Sequence, residues 1–550
     1  MAESGAPHIE TLPGPRSGRL WAIGLLVAIL LSAVLMRLPL IDQPFHRNPE
    51  AMASHYGLMA RNYVRHGLLD GWLLPVQSVG RSDIDPPRLY PNHPPLVPLT
   101  VAAVYAIFGE GQWQTRLAPS VFWLGCIAAI YVMVLRTSMI SDPQEPGRAD
   151  FRAVFRAAIA ALLFGFVPIS GRYGGQPDVI NAQLVLFCLL TVAAYQRFFD
   201  RPNLRRLAVM ALAFLPAALT DWPAFFLVPV LAGHFVLRHR LRHWQLILTF
   251  CLYSAAVFGL LYVHIALVTG DWRLIFDQFL RRSARMEDDH HRAFSWGSWV
   301  VEAGGNGLWA HTWMVVALAG LWVVCVGLDW RRCSRLISLT RLLLAFAVVH
   351  VLVGRQGVLV HDWWWWPVTP GLCVAAALGL DLLVQVVAGL WARGRAIGSI
   401  LAIGAVGAFA IWQARTAVRW YADPHTIYGD NPAYTVVELG QAIHAAAEPN
   451  EAVMLAEDDP QPYTWYYADR PLKLGIWTVA DLEARRDEPW ADLPFGYRQQ
   501  WTPPARAIVI PRVWLAQVAE LDAHLSAHYQ PIALPPPLAQ KFIAYRLDAP

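Results

Sequence analysis

Runs of about 20 apolar residues, the length a helix needs to cross a bilayer, recur along most of this 550-residue chain. They fall near residues 20–40, 115–136, 154–171, 178–197, 207–220, 222–238, 244–268, 308–328, 336–354, 363–388 and 396–418. The spacing therefore predicts a polytopic α-helical membrane protein of about eleven spans. Composition agrees, because 56% of residues are hydrophobic and only 15% charged, too little charge to cover a soluble domain of this size. A net charge of +4 gives no argument for nucleic acid as a partner. The six cysteines lie in or beside apolar runs without metal-type spacing and read as small buried hydrophobes. The first apolar run is too long for a signal-peptide core and reads as a retained span.

Arginine sets the expected orientation. With a cytoplasmic amino terminus, the inner loops hold Arg136, Arg148, Arg152, Arg156, Arg197, Arg201, Arg205, Arg206, Arg238, Arg240, Arg242, Arg331, Arg332, Arg335, Arg393 and Arg395. The short outer turns hold only Arg172 and Arg355, the bias of the positive-inside rule. Three long segments then face outward: residues 41–114, residues 269–307 and the carboxyl-terminal tail. After about residue 420 the pattern changes to alternating elements: helical VVELGQAIHAAA, strand AVMLAE, helical VADLEARR, strand ARAIVIP, helical VWLAQVAELDAHLSAHY and strand KFIAYRL. This predicts two domains, a transmembrane domain over 1–419 and a small extracytoplasmic α/β domain over 420–550.

The first long segment is too polar for a bilayer. FHRNPEAMASHYGLMARNYVRHG carries Met52, Tyr56, Met59, Ala60 and Tyr63 near helical spacing, which predicts a half-wet helix along the membrane face. Pro94 and Pro95 suit the first turn of a second helix. Polar groups gather at the other outward turns as well: Arg172 and Asp178 in GRYGGQPDVINAQ, Asp221 in AALTDWPAFFLVP, and Arg355, His361 and Asp362 before four tryptophans in RQGVLVHDWWWWPVTPG. Singly these are ordinary helix ends and an aromatic belt; their convergence on one face points to a site. The loop FLRRSARMEDDHHRAFSW sets Arg281, Arg282, Arg285 and Arg292 around acids and histidines, a composition suited to clamping a phosphate and equally that of a solvated charge cluster. His290 and His291 diverge on a helix, so a divalent metal in this loop needs His93 from the first loop beside His291.

HYGLMARNYVRHG, NHPPLVPLTVAAVYAIFGEGQWQTRLAP, QPD, LTDWPAFFLVP, RMEDDHHRAF and HDWWWWPVTPG follow one another in an order, and with a topology, that resembles the GT-C superfamily of polyprenyl-phosphate-sugar-dependent glycosyltransferases. The branch resembled includes bacterial protein O-mannosyltransferase-like and lipid A aminoarabinose transferase-like enzymes. The resemblance implies a hexosyl- or pentosyltransferase of the bacterial-type inner membrane. Such an enzyme moves a sugar from a polyprenyl-phosphate donor to an extracytoplasmic lipid, protein or cell-wall acceptor, with no cofactor required beyond a divalent metal as an option. It places an acid early in the first outer loop. Here the matching position falls near Met52 and the nearest acid is Glu50, so the resemblance assigns Glu50 as base and Asp178 as second acid. Arg61, His93, Asp221, Arg285, Arg292 and His361 are assigned to substrate. A transporter or lipid flippase, and a protein of this kind without activity, are the alternatives; the first predicts acids or helix breaks at mid-span.

Overall fold

The computed structural model describes residues 16–45, 48–69, 71–80, 88–141, 148–177, 181–240, 242–283, 295–329, 331–332, 334–390, 433–458, 463–493 and 499–547, with isolated positions between 404 and 415. The amino-terminal part is a helical bundle: α1 (Arg16–Ile41), α2 (Asn48–His66), α3 (Leu96–Phe108), α4 (Gln112–Ser141), α5 (Arg148–Phe166), α6 (Pro168–Tyr173), α7 (Ala182–Asp200), α8 (Leu204–Thr220), α9 (Leu227–His239), α10 (Trp244–Thr269), α11 (Leu274–Ser283), α12 (Trp296–Trp322), α13 (Arg335–Val353), α14 (Arg355–Val360) and α15 (Thr369–Leu390). Among the described residues seven helical segments are long and apolar enough to cross a membrane. Three more of the expected spans fall on α5, α8 and α9, which are shorter or open on arginines. The expected span at 396–418 lies almost wholly outside the described residues.

Packing within the bundle follows the logic of helices in lipid, where small residues let backbones approach. α15 carries Gly371, Ala375, Ala376, Ala377 and Gly379 along its buried length. A methyl group at Gly379 would run into the Leu318 carbonyl of α12, and one at Gly371 would meet the Leu343 backbone of α13 at about 3.0 Å. α12 itself is broken at Thr312, whose φ of 70° and ψ of 150° lie outside helical space. His311 fills the break by bridging the Gly307 carbonyl and the Thr369 hydroxyl, each at 3.0 Å.

The carboxyl-terminal part is a seven-stranded mixed sheet. Its strands β1 (Ala452–Leu455), β2 (Leu472–Lys473), β3 (Trp490–Asp492), β4 (Gln499–Trp501), β5 (Ala505–Pro511), β6 (Gln530–Pro531) and β7 (Phe542–Arg546) lie in the order β4-β3-β2-β1-β5-β7-β6. β1 pairs in parallel with β2 and β5, and the other pairs are antiparallel. The helix Val436–Ala446 opens with a capping box, Thr435 and Glu438 satisfying each other's backbone. The helix expected over VWLAQVAELDAHLSAHY runs Ala519–His528, shorter than the sequence pattern suggests, since Arg512–Trp514 forms a separate tight turn. Lys473 lies buried in β2, and its ammonium donates to the carbonyls of Arg485, Arg486 and Glu488 at the end of the helix Val479–Arg486. That arrangement matches the negative end of the helix dipole.

The structure corrects the reading of α2. From Ala51 to Tyr63 its side chains are buried or nearly so on every side, and it is not a half-wet surface helix. One face packs on α3, while the other is covered by the carboxyl-terminal domain. Leu58 and Val79 enter the hydrophobic core of that domain beside Leu439, Val453 and Trp465. Phe45, Ala51 and Ala53 cluster with Val436, Tyr463 and Tyr466. Val79 also trades both backbone groups with the Gln500 side chain, at 2.8 and 3.0 Å.

Candidate active site

The helix ends named above meet at one end of the bundle, linked by a chain of contacts. Asp221 ends α8, and its Oδ1 accepts from the Trp222 N–H at 2.7 Å and lies 3.0 Å from Nδ1 of His93, just before α3. The Trp222 indole donates to the Asn92 carbonyl at 2.9 Å, and Asn92 in turn receives a hydrogen bond from Gln278 of α11. Farther along α11, Arg282 donates to Nε2 of His361 at 2.9 Å, and the His361 ring stacks on Trp363 at 4.3 Å. Next to it, Asp362 receives Arg172 and the Tyr173 hydroxyl, both at 2.6 Å. Tyr90 continues the rim on the other side, edge-on to His55 at 5.0 Å and tilted against His93 at 6.1 Å. Behind the dyad of His93 and Asp221, half-buried Thr100 and buried Gln183 and Thr220 form a polar chain that ties α3, α7 and α8 together.

Chemically this rim holds cations fixed by acids and rings, next to hydrocarbon-facing helices. Burial and the neighbouring Arg282 pull the pKa of His361 from 6.5 down to about 3. The neutral ring therefore accepts from arginine and is not itself a cation at neutral pH. The sign follows directly: a folded pKa below the ordinary value holds the contact above pH 6.5 and loses it as pH falls toward 3. Acidification from neutral to about pH 4 is thus expected to lower the protection factors of Leu274–Ser283, measured against the intrinsic exchange rate at each pH, and a His361→Asn variant should lose that response.

Three-dimensional comparison places this architecture among known ones. The chain superposes on ArnT from Cupriavidus metallidurans in the apo state with a TM-score of 0.59 at 14% identity, covering 96% of this chain and 98% of that one. The same ArnT bound to undecaprenyl phosphate gives 0.52 at 14% identity over equal shares. The apo oligosaccharyltransferase of Archaeoglobus fulgidus gives 0.54 at 11% identity, covering 97% of this chain and 75% of that one. The chain has the GT-C fold. No protein-family profile and no curated protein matches the sequence.

Within the GT-C fold the expected site residues divide into three groups. His93 and Asp221 are brought together, and His361 joins the same rim through Arg282 and Gln278. Glu50 belongs to the first turn of α2, while Asp178, Arg285, His291 and Arg292 lie outside the described residues. Asp178 follows directly on the turn Gly174–Pro177, whose two glycines leave room for the Arg37 guanidinium: a methyl at Gly174 would meet it at 2.8 Å.

Arg61 stands elsewhere than expected. Its side chain, 7% exposed, pairs with Glu110 at 2.8 Å and Asp469 at 3.3 Å, and its guanidinium lies over the Tyr466 ring. Burial alone would pull its pKa down, yet Asp469, Tyr466 and Glu110 together hold it above the ordinary value. Arg61 fastens α2 to the carboxyl-terminal domain. Of the metal pair, His93 has its Nδ1 committed to Asp221, and no group of three potential ligands occurs among the described residues. Sequence reasoning passed over Arg37, a charge inside an apolar run, although that placement is itself a signal of a functional or buried partner.

Proposed function

We propose that this chain is a membrane glycosyltransferase that transfers a hexosyl or pentosyl group from a polyprenyl-phosphate donor to an extracytoplasmic acceptor. The observation that carries this reading is the end-to-end match to ArnT, 96% of this chain on 98% of that one, with polar helix ends gathered on one rim. ArnT has been seen with undecaprenyl phosphate, and AglB, an archaeal oligosaccharyltransferase from Archaeoglobus fulgidus, with an inhibitory peptide and a dolichol-phosphate. In this reading the rim and the carboxyl-terminal domain face outward from a bacterial-type inner membrane, and the arginine-rich loops stay in the cytoplasm.

The chemistry asks for three things. An acceptor hydroxyl is a weak nucleophile near neutral pH, so a carboxylate within reach takes its proton as the new bond forms; Glu50 has that role, with Asp178 orienting acceptor or sugar. The anomeric carbon passes through an oxocarbenium-like state that nearby carboxylates favour. The departing phosphate gains negative charge, which preorganised cations stabilise most strongly where water is scarce; this reading gives that role to His93, Arg285 and Arg292.

The break in α12 at Thr312 is what a transporter would show, since discontinuous helices form ion sites at mid-depth. Here His311 bridges the gap to Gly307 and Thr369, and no acid bonds to it among the described residues. Protein reconstituted with polyprenyl-phosphate sugars should release free polyprenyl phosphate only when acceptor is present. Glu50→Gln should slow that release by about 100-fold. Unchanged turnover removes Glu50 from the mechanism, and no release from any lipid-linked sugar overturns the transferase reading.

A further inference from the structure

The contact between His93 and Asp221 joins residues 128 apart in sequence, and its two sides differ sharply. Asp221 is 1% exposed; Oδ1 serves both Trp222 N–H and His93, and Oδ2 is buried with no partner among the described residues. His93 keeps 19% exposure, and its Nε2 meets no hydrogen-bonding group among the described residues. An ionised carboxylate only accepts, so Nδ1 carries the hydrogen and the ring is held in one orientation. The backbone on either side of the ring is also pinned, by Trp222 on the Asn92 carbonyl and by Pro94 and Pro95 at the start of α3.

We propose that Asp221 is the positioning residue of the phosphate-side group, locking the His93 ring with Nδ1–H inward so that Nε2 is presented to the phosphate of the lipid-linked sugar. The proposal rests on the transferase reading above. With a proton on Nε2 as well, the ring faces the phosphate as a donor, and the adjoining carboxylate balances its charge. During transfer the acceptor oxygen bonds to the anomeric carbon while the bond from that carbon to the phosphate oxygen breaks. The electron pair stays on the phosphate, and the acceptor proton goes to the first-loop acid. His93 gives up no proton; its Nε2–H hydrogen-bonds the departing oxygen.

A plain helix-end role for Asp221 predicts something different. Asparagine caps a helix as well as aspartate does, so Asp221→Asn keeps the bond from Trp222 and removes only the charge. The test compares Asp221→Asn, His93→Gln and the double variant by turnover of a polyprenyl-phosphate sugar, with the melting temperature of each. Asp221→Asn is expected to keep melting temperature and acceptor KM and to lower kcat by about 10- to 100-fold, the range for a partner that orients a working histidine. The double variant should be no slower than His93→Gln. Wild-type kcat in Asp221→Asn, or losses that multiply in the double variant, overturns the proposal. Should wild-type protein show no transfer, the transferase reading falls by itself. The dyad is then judged by binding of undecaprenyl phosphate against undecaprenol: both variants should weaken the phosphate alone and non-additively. Equal weakening of both lipids, or none, rejects it.

Discussion

Asp381→Ala is expected to cost the bundle about 3–5 kcal/mol, the penalty for stranding buried charges. Asp381 sits inside α15 and is nearly inaccessible, and three side chains converge on it. Arg152 donates through Nε to both carboxylate oxygens at 3.0 Å and through Nη2 at 2.8 Å; Arg156 Nε reaches Oδ2 at 2.9 Å; Gln385 adds a bond at 2.9 Å. Truncation leaves two guanidinium groups on α5 facing each other with nothing between them. Removing one arginine is milder, because Arg152 is 34% exposed and water takes over part of its charge. Thermal unfolding in detergent reads the difference. An Asp381→Ala protein that melts with the wild type would show that the cluster stabilises nothing.

The second large effect belongs to the joint between the first loop and the sheet domain. Asp469 faces Arg61 at 3.3 Å and Arg65 at 2.8 Å, and Glu110 closes the other side of both arginines. Asp469→Ala is expected to cost about 3–5 kcal/mol by leaving Arg61 buried and short of an anion. Part of that loss has another origin: Asp469 has φ of 48°, in the left-handed region that alanine adopts poorly and asparagine tolerates. Asp469→Asn isolates the electrostatic share and should cost roughly 1.5–3 kcal/mol, the worth of a hydrogen bond to a charged group. Hydrogen exchange along α2 is the readout, and protection there should fall in both variants, more in alanine. Equal protection in all three proteins would mean that apolar contacts alone hold the joint.

How far the sequence spoke depends on where each residue finds its partner. Apolar runs announce helices because the signal is local, and AVMLAE, ARAIVIP and KFIAYRL announce β1, β5 and β7 for the same reason. β2 and β6 have two residues each, too few to carry a period. α2 misled because its polar face is satisfied by Tyr466 and Asp469, some 400 residues away, and not by water. The convergence of Asp221, His93 and His361 on one rim was legible as a shared side of the membrane. That His93 and Asp221 touch was not, since α3 to α8 lie between them in sequence. Asp381 was passed over because a single acid in an apolar run looks like a helix end until Arg152 and Arg156 are placed beside it.

Leu58 and Val79 leave the ribosome long before the strands that will enclose them. Until Tyr434 and the segments after it have been made, the first loop has no completed fold to settle into. The part synthesised near the beginning is therefore finished last, and a chain cut short before the sheet domain would be left with a greasy, unclosed face on its first loop.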